Sequence, residues 1–206
     1  MDKDKAEFDA HAESYDESLR RILPKSQAED TWFAEYKVAL TKARTKQEPA
    51  RILDFGCGVG RSLPLLSAYF PNAELWGYDV SEVSLSMAAL RAANTNLTSK
   101  VETLATGNFD LVIAANVFHH IPLDERVAAL QLCARILKPN CGRLFLFEHN
   151  PLNPATRWVF ERCEFDRGAS MLSRRECLAL GDAAGLQRMR SDYTLFFPKQ
   201  LALFRP

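Results

Sequence analysis

Three glycines fall at every second position of RILDFGCGVGR (residues 51–61), and Asp54 stands just ahead of them. Gly56, Gly58 and Gly60 can each adopt φ > 0, and none carries a Cβ that would hold another group off the backbone. A turn of this kind suits a polar ligand held by main-chain groups. The dinucleotide pattern G-x-G-x-x-G is met by Gly56 and Gly58, but its third position is Arg61, because Gly60 comes one residue early. A phosphate loop would need Gly-Lys-Ser/Thr, which is absent. A second carboxylate, Asp79 in GYDVS, can accept two ribose hydroxyls at once. The third set is imidazole and carboxylate: His119 and His120 in NVFHHIP, then Glu148 and His149 in FEHN. Histidine changes charge near neutral pH, so these side chains can move a proton or orient a hydroxyl.

The elements that must position these groups alternate regularly from residue 50 to 150. Strands are expected at RILDF (51–55), AELWGYDV (73–80), KVETLA (100–105), FDLVIAANV (109–117) and GRLFLFEH (142–149). Helices are expected between them at 61–70, 81–94 and 122–138, with Pro64 in a first turn and Ser81 as an N-cap. The strands are apolar throughout, the pattern of a parallel sheet covered on both faces. Right-handed crossovers then give a doubly wound, mostly parallel α/β fold with helices on both faces. In such a fold ligands sit beyond the carboxyl ends of the strands. The glycine turn, Asp79, Asn116 and His149 all fall there.

Two helices, 5–23 and 26–46, precede this core, with apolar stripes that include Phe8, Tyr15 and Leu19, then Trp32, Phe33, Tyr36, Val38 and Leu40. After residue 150 the rhythm breaks. A helix is expected over SRRECLALGDAAG (173–185) and a sixth strand over LQRMRSDYTLFF (186–197). The organisation expected is residues 1–48 as a helical lid, 49–150 as a ligand-binding core, and 151–206 as an acceptor-pocket insertion with the C-terminal part of the same domain.

Composition narrows the class. Lys+Arg and Asp+Glu both number 26, so the basic excess of a nucleic-acid binder is lacking. The five cysteines form no CxxC pair, so neither a disulfide framework nor a metal site is expected. No apolar signal core or membrane-spanning run occurs, and the cytoplasm is the expected compartment.

The form D-x-G-x-G-x-G (Asp54, Gly56, Gly58, Gly60) resembles motif I of the class I S-adenosylmethionine (SAM) dependent methyltransferases. Asp79 lies 19 residues after Gly60, where that family carries its ribose-binding acid. FDLVIAANVFHHIP resembles the family's fourth-strand segment, and LKPNCGRLFLFE its motif along strand five. FEHNPLNP followed by CEFD is similar to a subgroup of bacterial small-molecule methyltransferases. Four matches in order span about 100 residues, counted from Asp54 to Glu148.

The resemblance implies SAM as cofactor, S-adenosylhomocysteine as product, and methyl transfer to an oxygen, nitrogen or carbon nucleophile of a small-molecule acceptor. It implies backbone contacts at Gly56, Cys57, Gly58 and Gly60, with Asp54 orienting the methionine end. Asp79 and its neighbour Val80 belong to the ribose side, and Asn116 to the methionine end. Tyr15 lies in a stretch that closes over SAM in many relatives. Many relatives also carry an acid after strand three for adenine. Here backbone near Leu104 and Ala105 is the substitute. His149 is the leading candidate for a general base and His119 the next. Arg157, Arg162, Arg167, Arg174 and Arg175 read either as a clamp for an acidic acceptor or as a solvated face. The family's antiparallel seventh strand has little room after YTLFFPKQLALFRP, so that strand is either incomplete or replaced. A monomer or homodimer is expected. The rival readings are an RNA or protein methyltransferase and a non-catalytic binding subunit of the same fold.

Overall fold

Alternate residues of the central strands enter opposite apolar layers, and this defines the architecture. Ile52, Leu111 and Ile113 belong to one buried cluster, with Val38, Leu63, Leu66, Phe70 and Ala88. Leu53, Val112 and Ala114 belong to the other, with Phe109, Phe118, Leu130, Ile136 and Leu172. A sheet whose two faces are both dry must be covered by helices on both sides.

The computed structural model describes residues 32–104 and 108–194. The helix α1 (Trp32–Arg44) leads into β1 (Arg51–Phe55), α2 (Leu63–Tyr69), β2 (Glu74–Tyr78), α3 (Glu82–Arg91) and β3 (Asn96–Thr98). A single turn, α4 (Val101–Leu104), precedes β4 (Leu111–Ala115), α5 (Arg126–Ile136) and β5 (Arg143–Phe147). Then come α6 (Pro154–Phe160), a 3₁₀ turn at Glu164–Asp166, and α7 (Arg174–Ala183). The five strands run in the order β3-β2-β1-β4-β5, and all their pairings are parallel. The strand order reverses between β1 and β4, which makes that point the ligand crevice of the sheet.

Local signals act as expected at several ends. Pro64 sits at the start of α2. The Ser81 hydroxyl accepts from the Ser84 N–H at 3.0 Å to cap α3. Ser173 and Glu176 close a reciprocal capping box on α7. The helix expected from residue 122 begins at Arg126, because Pro122–Glu125 close a turn.

Two expectations are corrected. The third strand is not KVETLA but Asn96–Thr98, which pairs with Trp76–Tyr78. Val101 and Leu104 are spaced three apart and share one face of a helical turn, so the fully buried Leu104 reaches the core from α4. No strand forms over residues 186–194. Residues 187–190 are all exposed, so the stretch has no face to bury. Its side chains are held individually instead: Asp192 pairs with Arg44 at 2.6 Å and with Arg190 at 2.6 Å. Residues 195–197 of that expected strand lie outside the described residues. So do Tyr15, Ala105, the first helix, the start of the second, and the C-terminal stretch considered for a seventh strand. No helix among the described residues is long and apolar enough to cross a membrane.

Candidate active site

The glycine turn is stitched to the end of β2. The N–H groups of Gly56 and Cys57 both donate to the Tyr78 carbonyl, at 2.8 and 3.0 Å. Asp79 is held across the same joint. Its Oδ2 accepts from the Gly58 N–H at 2.8 Å, and its Oδ1 from the Ser81 N–H at 2.9 Å. The carboxylate is therefore oriented before any ligand arrives. Val80 is half-buried beside it, against the core.

The three glycines serve different ends. All have positive φ. A Cβ on Gly56 would lie 2.5 Å from Val117 Cγ2, and one on Gly60 would lie 2.9 Å from the Ala88 Cα. These two glycines let protein segments meet. At Gly58 (φ 51°) a Cβ would meet no protein atom within 4 Å. Of the three, Gly58 alone leaves its Cβ direction open for a ligand. The Cys57 side chain points the other way, into the apolar cluster, where burial pushes its thiol well up. Only its backbone can face a ligand.

Asp54 closes this end from below. It is 3% exposed, and burial, with Asp79 adding repulsion, pushes its carboxyl up to about 7 although Lys37 pulls it down. Lys37 is half-buried on α1, and burial lowers its ammonium to about 8 against the pull of Glu148 and Asp54. No sequence signal singled it out, since it sits between two members of an apolar stripe, Tyr36 and Val38.

The second half of the site lies beyond β4 and β5. Asn116 adopts φ 60° and donates its N–H to the Phe147 carbonyl at 2.8 Å, turning the chain out of β4. Glu148 catches the next turn, accepting at Oε1 from the N–H groups of Val117 (3.2 Å) and Phe118 (2.7 Å). Its Oε2 meets His119 Nδ1 at 2.7 Å. The other nitrogen of His119 lies 3.3 Å from Asp166 Oδ1, and His120 Nε2 lies 3.5 Å from the same oxygen. Burial pulls the His119 imidazole down, but Asp166 and Glu148 together raise it above its ordinary value. His119 is thus clasped between two carboxylates, which suits a protonated bridge better than a proton acceptor. Burial and the neighbouring His119 lower His120 and His149 to about 4, so both are neutral at pH 7. The His149 ring lies 4.9 Å from that of His119, and Phe160 sets its edge against both.

Arg126 is the member of this group that the sequence did not announce, and Asp166 appeared there only as the last residue of CEFD, with no role. The 3₁₀ turn holding Asp166 is anchored by the buried Cys163 and Phe165. Arg126, 2% exposed, donates to the carbonyls of Ile121 (2.9 Å), Ser170 (3.0 Å) and His119 (3.4 Å). It ties the histidine turn to the loop after Asp166. The five arginines of residues 151–175 are all exposed. Arg157 pairs with Glu161, Arg162 lies over Trp158, and Arg174 donates to Ser191. They form a solvated face.

A family model of the methyltransferase domain matches residues 52–140. The ubiquinone biosynthesis O-methyltransferase of Xanthomonas oryzae pv. oryzae is 34% identical over 114 residues, covering 50% of this chain and 45% of that protein. The chain thus spans about half the length of the curated relatives it matches. Magnesium protoporphyrin IX methyltransferase from Synechocystis PCC 6803, solved with bound SAM, is 21% identical and superposes with a TM-score of 0.65 over 96% of this chain and 93% of that one. A mycolic acid cyclopropane synthase complexed with S-adenosylhomocysteine is 19% identical, with a TM-score of 0.68 over 90% of this chain and 75% of that one. At these identities the structural likeness speaks for the fold alone. Residues 52–140 match the methyltransferase domain family, and the chain shares its fold with the magnesium protoporphyrin IX methyltransferase and the cyclopropane synthase.

Proposed function

We propose that this protein binds SAM against the turn at residues 54–60 and transfers its methyl group to a nucleophile of a small-molecule acceptor. One observation carries the reading. Gly58 is open and left-handed, and a pre-oriented Asp79 carboxylate stands beside it at the crevice between β1 and β4. Asp79 is held by two N–H groups, and a carboxylate so oriented suits the two ribose hydroxyls. Asp54 faces the cationic methionine amino group, with backbone of Gly56, Cys57, Gly58 and Gly60 around the chain. Val80 flanks the ribose, and Asn116 shapes the far wall. The Leu104 side chain is committed to the core, so only its backbone is offered to adenine. Residues 1–48 are assigned the lid and 151–206 the acceptor side, on their order in the chain.

The methyl leaves the sulfonium with its bond electrons staying on sulfur, while an acceptor lone pair forms the new bond. The cofactor supplies the driving force, and the protein contributes positioning and exclusion of water. For a hydroxyl acceptor the proton goes to His149, which is neutral at pH 7 but a weak base, because burial and the neighbouring His119 disfavour its protonated form. His119 positions that region through its two carboxylates. Since the arginines of residues 151–175 are exposed, the acceptor pocket is assigned no cationic clamp for an acidic acceptor.

Calorimetry of SAM and S-adenosylhomocysteine tests the reading on wild type and Asp79→Ala. Binding by the wild type, weakened at least tenfold in a folded Asp79→Ala, is expected. A folded wild type that binds neither nucleoside would sink it.

A further inference from the structure

The group beyond β4 and β5 has a geometry that an ordinary proton bridge does not require. One donor atom each from His119, His149 and Asp166 lie within 4.8 Å of one another. They come from three separate segments: the turn after β4, the end of β5, and the 3₁₀ turn. His119 Nε2 and Asp166 Oδ1 are already 3.3 Å apart. Two ligands of a tetrahedral Zn²⁺ at its usual bond lengths stand about 3.4 Å apart. His149 is half-buried, and a spacing of 4.8 Å must close by about 1.4 Å to complete three such edges.

The surroundings are those of a ligand set. A metal-binding imidazole usually donates its second N–H to a carboxylate, which fixes the tautomer and aims the free nitrogen at the ion. Glu148 does this for His119 Nδ1 at 2.7 Å, and is itself held by two backbone N–H groups. His120 Nε2, 3.5 Å from Asp166 Oδ1, stands as an outer partner for the carboxylate. Phe160 supplies an apolar wall against both imidazoles.

We infer that His119 Nε2, one nitrogen of His149 and a carboxylate oxygen of Asp166 form a site for a divalent transition-metal ion. Two imidazoles and a carboxylate suit Zn²⁺ or Fe²⁺, and three protein ligands leave a position for an outside oxygen. The inference goes beyond the cofactor reading. It changes the acceptor chemistry: ligation occupies the His149 lone pair, so the ion, and not His149, would acidify a bound hydroxyl.

The test uses the full chain stripped with a chelator and titrated with Co²⁺, then with Zn²⁺ against a chromophoric chelator, in the absence of SAM. One Co²⁺ per chain is expected, with ligand-field absorption of nitrogen and oxygen donors and no thiolate charge-transfer band. Zn²⁺ should displace it. His149→Gln and Asp166→Ala should each weaken binding at least tenfold, and Glu148→Gln by roughly 10–100-fold. Three results overturn the inference: no stoichiometric binding, a thiolate band that places the ion on a cysteine such as the exposed Cys141, or equal affinity in folded His149→Gln. The wild-type spectrum alone decides the matter if a variant does not fold. SAM binding is read separately, so either reading can fail without the other.

Discussion

Replacing Asp54 by Asn should make the protein more stable and a poorer binder of its cofactor. In the folded protein the Asp54 carboxyl titrates at about 7 in place of 3.8. That difference of roughly 3 units corresponds to about 4 kcal/mol at 1.36 kcal/mol per unit. The folded state holds this proton more tightly than the unfolded chain does. The contribution is therefore fully present below about pH 4, fades as pH rises through about 7, and is absent above it. At pH 8 the wild type carries a buried, ionised carboxylate close to Asp79, with Lys37 offsetting only part of the cost. Asn has nearly the same shape and no charge to bury. Urea unfolding of both proteins at pH 5, 6, 7 and 8 reads the effect as a difference, which removes all other titrations. The stability of Asp54→Asn relative to wild type should rise by about 2–3 kcal/mol between pH 5 and pH 8. The cationic cofactor, in turn, prefers the ionised form. Its affinity for the wild type should climb up to tenfold per unit below pH 7 and level off above. In Asp54→Asn the affinity should be about 10–100-fold weaker at pH 8 and flat in this range. Parallel stability curves, or a variant that binds SAM as tightly as wild type, would refute the reasoning.

Other perturbations separate the roles assigned above. Gly58→Ala meets no protein atom, so it should cost only about 1–2 kcal/mol of stability for the left-handed backbone, yet weaken SAM binding. Gly60→Ala, which drives a Cβ to 2.9 Å from the Ala88 Cα, should lower Tm further, and thermal denaturation with calorimetry checks the order. Arg126→Leu strands the carbonyls of Ile121 and Ser170 and should cost about 2–4 kcal/mol in urea unfolding; a loss under about 1 kcal/mol would contradict the clamp. In metal-free protein the His119 imidazole should titrate above its usual value by NMR and fall in Glu148→Gln, because Glu148 is one of its two carboxylate partners. Stability associated with that proton should be present at low pH and vanish as pH rises through the folded value.

The legible parts of this fold were those written in local pattern. β1, β2, β4 and β5 are short apolar runs between turn residues, and each appears where periodicity puts it. The glycine turn and Asp79 are local too, because a left-handed turn needs glycine and its brace is the first acid beyond β2. β3 was misplaced because Val101 and Leu104 give an apolar count that fits either a strand or one helical turn. Burial of Leu104 from α4 decided it. The sixth strand failed because residues 187–190 offer no buried alternation. The imidazole cluster beyond β4 and β5 was half legible: His119 and His149 follow strand ends, but Asp166, Arg126 and Lys37 reach it only through tertiary packing. No spacing in the chain relates Lys37 to Glu148.

The most direct measurement is a crystal structure of the protein grown with S-adenosylhomocysteine. The ribose hydroxyls should lie within hydrogen-bonding distance of Asp79, the homocysteine amino group should face Asp54, and the nucleoside should rest over Gly58. A nucleoside bound elsewhere, or a ribose with no contact to Asp79, would contradict the account.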